Sequence, residues 1–323
     1  MSKPFKYFLI ALILSFPFWL GVNVLEKKLA DFFYWQELAN HPEIFYAQIA
    51  PKKPENLKPV HNNEKGDLNL EAKSAISLLI DKRGRERILF EKDIDQQLPI
   101  ASLTKLITAL VVLENYDTAK EIKVSKEAVA QEGDFGKLEA GEILTAEYLL
   151  YPLLMESSND AAFSLVNDYP GMTEKLFARL MNEQAEKVGL KNSIFFNPTG
   201  LDPDQSQTEM NLSSAYDLAK LAKKILEKPL IWKILSLPRY NLYGPELINN
   251  NELLEDSVPW HKEIIGGKTG YTDSAGGCMV LVLKAPRDPD YLMINVILGA
   301  DGTSSRFEQM KKLVDWLDTA YIW

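Results

Sequence analysis

The chain has 323 residues, a formal net charge of −9 and a single cysteine, Cys278. The acidic balance argues against a nucleic-acid partner, because phosphate binding needs concentrated lysine and arginine. One cysteine excludes an intrachain disulfide, and the apolar neighbours of Cys278 predict a small buried side chain. The three histidines are scattered without a second ligand at metal-binding spacing, which disfavours a zinc site and a Ser-His-Asp triad.

The N-terminal region begins with a membrane-length apolar run. Residues 7–25, YFLIALILSFPFWLGVNVL, are uncharged and follow Lys3 and Lys6. As a helix of ~1.5 Å rise per residue, the run would span roughly 28 Å, which is enough to cross the hydrocarbon core. We therefore predict a cytoplasmic stub and uncleaved anchor over residues 1–25, with a cleaved signal peptide as the alternative. On either reading the rest of the chain is exported.

The next segment, residues 26–66, changes from aromatic to polar. Its aromatic first half is typical of a juxtamembrane helix, and its second half is rich in proline and charge, as in a solvated spacer. The globular domain is predicted over residues 67–323. Because the spacer offers little apolar surface, removal of residues 1–66 is expected to leave a soluble, active domain.

Within the globular domain, two strand-like runs come early and three come late, with a helical block between them. The predicted strands are 74–81, 86–91, 264–269, 277–284 and 291–298, and the predicted helices are 103–113, 145–168, 173–188, 213–227 and 307–317. This order predicts an α+β fold: a five-stranded antiparallel sheet flanked by helices, with a helical insertion.

A possible catalytic pair opens the first of these helices. Ser102 and Lys105 lie one turn apart in PIASLTKLITALVVLEN, so the lysine amine would lie beside the serine hydroxyl. A serine needs a neighbouring base to act as a nucleophile, and a partly desolvated lysine can lose its proton near neutral pH. The alternative is an ordinary N-cap serine with a lysine that reaches to solvent.

Two later tripeptides could complete such a site. Ser157-Ser158-Asn159 offers a hydroxyl and an amide near the end of an apolar helix, and Lys268-Thr269-Gly270 lies on a strand flanked by glycines. Glycine in a strand allows a ligand to approach the backbone closely. Taken singly, the first could be helix-cap chemistry and the second a strand end. Each of the three patterns occurs only once in the chain.

The chain resembles the D-alanyl-D-alanine carboxypeptidases of the S11 serine peptidases, which are low-molecular-weight penicillin-binding proteins. The resemblance rests on the three motifs in this order and on the sequence around them, from about residue 72 to residue 316. The resemblance implies a β-lactamase/transpeptidase-like fold. It implies that Ser102 is the acylated nucleophile and Lys105 its general base. It also implies that Ser157 is a proton relay and that Asn159 contacts the substrate amide.

The same resemblance assigns the third motif and one arginine to substrate binding. Lys268, Thr269 and Gly270 would dock the substrate backbone and its terminal carboxylate. The oxyanion hole would be the N–H groups of Ser102 and of Tyr271 or Thr272. Arg306 stands where the family places an arginine near the carboxylate pocket; the alternative is a surface arginine at the start of the last helix.

The implied activity is removal of the last D-alanine from peptidoglycan stem peptides through an acyl-enzyme, with no metal or organic cofactor and with β-lactam antibiotics as covalent inhibitors. The implied location is the bacterial cell membrane, with a single-pass anchor and an extracytoplasmic catalytic domain. Three alternatives remain open: a DD-endopeptidase, a non-catalytic wall-binding protein, and a β-lactamase.

The β-lactamase alternative is disfavoured by the region between the second and third motifs. A class A enzyme would need a deacylating glutamate on a loop there, with an asparagine four residues later. In the comparable region, residues 186–204, the only glutamate is Glu186, which is followed at that spacing by Leu190. Asp202 and Asp204 are expected to shape the loop after the Asn-Pro-Thr-Gly turn. Many relatives have histidine in place of Thr199, and the chain after Gly270 is too short for the second C-terminal domain that some relatives carry.

Overall fold

The computed structural model describes residues 59–323 with gaps at 63, 134–135, 204–208, 242–243, 256–257, 261–262 and 287, and a few isolated positions before residue 59. The chain divides into two compact units, Met1–Val60 and His61–Trp323. Within the described part of the chain, no helix is both long enough and apolar enough to cross a membrane. The predicted anchor over residues 7–25, apart from Leu25, and most of the predicted spacer lie outside the described residues.

The strands are numbered in chain order. They are β1 (Val60–His61), β2 (Ser74–Ile80), β3 (Glu86–Lys92), β4 (Leu98–Pro99), β5 (Glu121–Lys123), β6 (Ile143–Thr145), β7 (Leu212–Ser213), β8 (Arg239–Asn241), β9 (Glu246–Ile248), β10 (Ile264–Thr272), β11 (Gly276–Ala285), β12 (Asp288–Ala300) and β13 (Tyr321–Ile322).

The α-helices and the shorter helical turns are named in the same way. The helices are α1 (Thr104–Asn115), α2 (Ala146–Met155), α3 (Asn159–Phe163), α4 (Glu174–Val188), α5 (Ala215–Ile225), α6 (Pro229–Leu235) and α7 (Gly302–Ala320). Three 3₁₀ turns and one π-helical turn lie between them, at Ala101–Leu103, Ala128–Ala130, Glu252–Leu254 and Ser164–Asp168 respectively.

The main sheet has five antiparallel strands in the order β10-β11-β12-β2-β3. This confirms the predicted sheet, with early and late strands paired through β12 and β2. The inner strands β2 and β11 and the second half of β12 are almost wholly buried, because both faces of the sheet are covered there, whereas the edge strand β3 is partly exposed. Successive side chains point to opposite faces, so each strand contributes to two separate cores.

We call these two sides of the sheet the site face and the back face. On the site face, α5 packs on β12 and β2, α6 packs on β10, and α1 lies among α2, α4 and α5. On the back face, α7 packs on β11 and β12. Cys278 belongs to the site-face core and is fully buried, which confirms the prediction made for it; burial raises the pKa of its thiol to about 11.

The central helix and the final helix occur as predicted, but the predicted helix 145–168 is divided. It ends at Met155, resumes as the short α3 at Asn159 and closes with the π-helical turn. Ser157 causes the break, because its backbone is left-handed with φ +66° and a helix of L-residues cannot continue through that conformation. The helix α6 was not predicted.

The end of the predicted spacer also differs from expectation, because it packs against the C-terminal segment. The ring of His61 lies edge-on to the ring of Tyr321, with centroids 5.1 Å apart. The Asn62 N–H donates to the carbonyl of Ala320 at 2.8 Å, and the Trp316 indole N–H donates to the carbonyl of Gly66 at 3.0 Å. Sequence patterning misses these contacts because two of the three use backbone carbonyls.

Candidate active site

Ser102 lies in the 3₁₀ turn that leads into α1, at the edge of the main sheet. The preceding residue, Ala101, has a left-handed backbone with φ +48°, which is costly for a residue with a Cβ atom. Gly200 packs directly on this turn: a Cβ atom there would lie 2.0 Å from the carbonyl oxygen of Ala101. The loop that contains Gly200 therefore holds the serine turn in its strained conformation.

Lys105 lies under Ser102 and is fully buried. Its Nζ donates to Ser102 Oγ at 3.1 Å, to Asn159 Oδ1 at 2.7 Å and to the carbonyl oxygen of Thr199 at 2.7 Å. Burial lowers the pKa of this amine from 10.5 to about 7, because the charged form loses its hydration. A neutral amine has two N–H groups and one lone pair. If Asn159 and Thr199 accept the two N–H groups, the lone pair faces the hydroxyl of Ser102.

The turn between α2 and α3 brings the second motif to the same place. Ser158 caps α3 by accepting from the N–H of Ala161 at 3.1 Å, while Asn159 begins that helix. The Asn159 amide accepts from Lys105 and donates to the carbonyl of Glu132 at 2.7 Å. The prediction placed this motif at a helix end, and the structure places it in a sharp break between two helices.

The third motif lies on β10, the edge strand of the sheet. Lys268 is buried, and its Nζ donates to Ser157 Oγ at 2.8 Å and to the carbonyl of Thr269 at 2.9 Å. Burial, and to a lesser extent the charges of Lys105 and Arg306, lower the pKa of Lys268 well below its usual value. A Cβ atom on Gly270 would lie 3.0 Å from the backbone nitrogen of Ser102, so glycine allows the strand to approach Ser102 closely.

Arg306 reaches the same strand from α7. Its Nη1 donates to the carbonyl of Gly270 at 2.9 Å, and burial lowers its pKa. Among the described residues, the buried Nε of Arg306 has no hydrogen-bond partner. The side chain is thus directed at the strand that carries the third motif, and it is not a surface arginine.

Several contacts of the site were not expected from the sequence. The hydroxyl of Thr269 donates to Asn250 Oδ1 at 2.7 Å, and the carboxylate of Asp202 accepts from Thr272 Oγ1 at 2.7 Å and from the Ser274 N–H at 3.1 Å. Asp202 thus joins its loop to the end of β10, whereas Asp204 lies outside the described residues. Within the described part of the chain, no cluster of three or more His, Cys, Asp or Glu side chains could hold a metal ion.

These geometric features can be compared with known proteins. The profile of the D-alanyl-D-alanine carboxypeptidase family, peptidase family S11, matches residues 60–302. The chain belongs to this family. The resemblance inferred from the motifs is thereby confirmed, and the family match covers the main sheet, the three motifs and the helical insertion.

Two curated relatives are similar over most of the chain. D-alanyl-D-alanine carboxypeptidase DacF of Bacillus subtilis is 32% identical over 267 residues, which is 79% of this chain and 64% of the relative. The chain therefore spans less than two thirds of the length of DacF. A D-alanyl-D-alanine endopeptidase of Pseudomonas aeruginosa is 32% identical over 255 residues, which is 76% of this chain and 78% of the relative.

Solved structures similar to this S11 member support the predicted fold class. PBP3 of Streptococcus pneumoniae, described as a peptidoglycan synthesis regulatory factor, superposes with a TM-score of 0.68 at 30% identity, over 78% of this chain and 72% of PBP3. Penicillin-binding protein D2 of Listeria monocytogenes, in its ampicillin-bound form, gives 0.63 at 28% identity, over 77% and 98% of the two chains. The β-lactamase/transpeptidase-like fold expected from the sequence is confirmed.

Proposed function

We propose that this S11 member is a serine-type D-Ala-D-Ala carboxypeptidase that forms an acyl-enzyme on Ser102. The observation that carries the proposal is the buried Lys105 amine, with two hydrogen-bond acceptors on one side and the hydroxyl of Ser102 on the other. With a pKa of about 7, much of this amine is neutral at neutral pH. A group with a pKa near the working pH is well suited to general-base catalysis.

In the acylation step, Ser102 Oγ attacks the carbonyl carbon between the two D-alanine residues and gives its proton to Lys105. The carbon–nitrogen bond then breaks, and a proton reaches the leaving nitrogen through the hydroxyl of Ser157. Lys268, which donates to Ser157 Oγ, supports this role by holding the hydroxyl in place. Deacylation uses water as the second nucleophile, with the same groups acting as base and acid.

Substrate binding is proposed to use the free edge of β10. A peptide that adds as an antiparallel strand would hydrogen-bond to this edge, with Asn159 contacting a substrate amide and an oxyanion hole formed by the N–H groups of Ser102 and of Tyr271 or Thr272. The terminal carboxylate would bind near Thr269 and Arg306, where the guanidinium that donates to the carbonyl of Gly270 supplies a positive charge.

The test is a mass measurement of the intact protein after brief exposure to a fluorescent penicillin, together with an assay of D-alanine release from a pentapeptide. We expect one adduct per chain, located on Ser102, that persists far longer than the natural acyl group. Rapid, repeated hydrolysis of penicillin with no trapped adduct would favour a β-lactamase. Absence of any adduct would favour a non-catalytic wall-binding protein.

A DD-endopeptidase is the second candidate, because the Pseudomonas relative at 32% identity is described as a D-alanyl-D-alanine endopeptidase. It would use the same residues on a peptidoglycan cross-link instead of a free stem peptide. Purified cross-linked and uncross-linked muropeptides are digested in one mixture to distinguish the two activities. A carboxypeptidase releases terminal D-alanine but leaves the cross-links uncleaved, whereas an endopeptidase cleaves them.

Residues 7–25 are proposed to hold the enzyme in the bacterial cell membrane as a single-pass anchor, with the catalytic domain outside the cytoplasm. The support is the length and apolar character of the run after two lysines. An anchored protein stays in the membrane fraction after carbonate washing and keeps its N-terminal residues. A soluble exported form that begins near residue 26 would show a cleaved signal peptide instead.

A further inference from the structure

Glu156 immediately precedes Ser157, and its side chain is almost entirely buried. Its carboxylate accepts two backbone hydrogen bonds from distant parts of the chain: Oε2 from the Gly136 N–H at 2.9 Å, and Oε1 from the Ile248 N–H at 2.9 Å. The ammonium of Lys137 lies 3.7 Å from Oε1. A buried carboxylate with two backbone donors and a lysine is a strong local anchor, because charge-assisted bonds are shorter and stronger than neutral ones.

The first segment that Glu156 holds also touches the other residues of the motif. Gly136 packs so closely on Ser158 that a Cβ atom would lie 2.4 Å from Ser158 Oγ. Earlier in the same loop, the carbonyl of Glu132 accepts from the side chain of Asn159. The loop is therefore fastened on both sides of Ser157, by the residue before it and by residues after it.

The second segment that Glu156 holds, residues 248–250, contacts the third motif. Two residues after Ile248, the Asn250 N–H donates to the carbonyl of Met155 at 3.1 Å, and the Asn250 side chain accepts from Thr269. Glu156 thus joins two segments, the end of β9 at Ile248 and the loop around Gly136, to the turn that contains Ser157.

We propose that Glu156 is a positioning residue that holds Ser157 in its left-handed conformation. A left-handed backbone is unfavourable for a non-glycine residue and persists only where the surroundings fix it. The two hydrogen bonds that the Glu156 carboxylate accepts from the N–H groups of Gly136 and Ile248 fix the residue just before Ser157. They thereby keep the Ser157 hydroxyl 2.8 Å from the amine of Lys268. The proposal rests on the proposed function, because it assigns a role in the step that Ser157 serves.

The test compares acylation by a fluorescent penicillin in rapid-mixing experiments on the full chain and on Glu156→Gln and Glu156→Ala. Glutamine is isosteric, but its oxygen can accept only one of the two N–H groups well. Misplacement of a catalytic group by about 1 Å can cost about a hundredfold in rate. We therefore expect the acylation rate constant to fall about tenfold in Glu156→Gln and about a hundredfold in Glu156→Ala, with non-covalent penicillin affinity changed less than about threefold.

Asp217 provides the matched control. It is also buried, accepts from the Asn192 N–H at 2.6 Å and from Ser193 Oγ at 3.0 Å, and pairs with Lys220 at 2.7 Å. It lies on α5, and none of these partners belongs to the three motifs. Asp217→Asn and Asp217→Ala should lower the melting temperature about as much as the Glu156 variants while acylation keeps the wild-type rate.

Two outcomes would overturn the proposal. One is a Glu156→Gln protein that folds and is acylated at the wild-type rate. The other is an equal loss of acylation in the Asp217 variants, which would indicate a general effect of stability. If Glu156→Ala does not fold, the glutamine variant decides. A wild-type protein that penicillin does not acylate would instead contradict the proposed function itself.

Discussion

The two faces of the main sheet are both densely packed, but they contain different kinds of residue. The back-face core consists of apolar side chains such as Met310, Leu313 and Leu317 of α7, which pack on β11 and β12. The site face also has a large apolar core, yet it encloses two lysines, Lys105 and Lys268, at 1% exposure or less. A buried cation is costly unless it is paired or loses its charge.

The site face also contains unfavourable backbone conformations. Ala101 directly precedes Ser102, and Ser157 is the first residue of the second motif; both have positive φ. The site face therefore combines desolvated amines with backbone conformations that are unfavourable in isolation, and packing elsewhere in the domain must offset their cost. The comparison indicates that changes on the site face should reduce catalysis more than stability, while changes on the back face should do the reverse.

The largest expected effect comes from the proposed catalytic pair, Ser102 and Lys105. Ser102→Ala and Lys105→Arg should each abolish D-alanine release, with losses of about 10⁴-fold or more, and the double variant should be no worse because the two residues act as a unit. Arginine fails at position 105 because a guanidinium keeps its proton and cannot act as a base. Turnover is measured on a D-Ala-D-Ala pentapeptide.

The control for this pair is a variant of the back face. Leu313→Ala removes a fully buried side chain and should cost about 2 to 5 kcal/mol of stability. Below its melting temperature it should keep the wild-type turnover. Substantial activity in Lys105→Arg would contradict the assignment of the base, and loss of turnover in folded Leu313→Ala would contradict the division between the two faces.

Two glycines with the same backbone conformation sharpen the comparison further. Gly200 has φ +82° and packs on Ala101, whereas Gly189 has φ +78° and has no atom within 4 Å of its Cβ position. Gly189→Ala should cost about 1 kcal/mol, because only the left-handed backbone is strained. Gly200→Ala must also move the serine turn, so acylation should fall about a hundredfold. Equal acylation rates in the two variants would show that the turn tolerates displacement.

The comparison also explains what the sequence could predict. The five strands and the helices α1, α4, α5 and α7 follow hydrophobic periodicity, which depends on burial alone. The three motifs are assigned by the resemblance to the S11 peptidases, since each tripeptide alone has an ordinary structural explanation, and the structure brings all of them together. Apart from Ser102, the partners of Lys105 were not predicted, and neither were those of Glu156. They include the carbonyl of Thr199 and the N–H groups of Gly136 and Ile248, and a sequence does not show where a backbone group will lie.

The pKa of Lys105 gives a smaller and reversible effect. Because burial depresses its folded-state pKa to about 7, the amine is protonated below pH 7 and cannot accept the proton of Ser102. Acylation by penicillin should therefore fall about tenfold per pH unit below 7 and level off above it. Rates measured from pH 5 to pH 9 test this. A rate that is independent of pH between 5 and 7 would contradict the role of Lys105 as base.

The same pKa predicts the direction of the stability change. Between pH 7 and the ordinary lysine pKa of 10.5, the unfolded chain binds a proton that the folded chain lacks. Stability should therefore rise with pH in this window, by at most about 1.4 kcal/mol per pH unit from this group. Urea unfolding at pH 7 and pH 9 measures the rise. Lys105→Met, which cannot titrate, should show a smaller rise than the wild-type protein.

The smallest expected effect on catalysis concerns residues 61–66, which pack against the C-terminal segment on the back face. The sequence suggested that residues 1–66 could be removed without loss, but His61, Asn62 and Gly66 contact the C-terminal segment through one ring contact and two hydrogen bonds. Such contacts contribute about 0.5 to 1.5 kcal/mol each.

A chain that begins at Pro59 should match the unfolding midpoint of a longer chain that begins at residue 51. A chain that begins at Asp67 should be about 1.5 to 4.5 kcal/mol less stable. Its acylation at 20 °C should be unchanged, because the lost contacts lie on the back face. Equal midpoints for the three chains would show that residues 61–66 add nothing to the fold, and slower acylation in the shortest chain would show that the two faces are coupled.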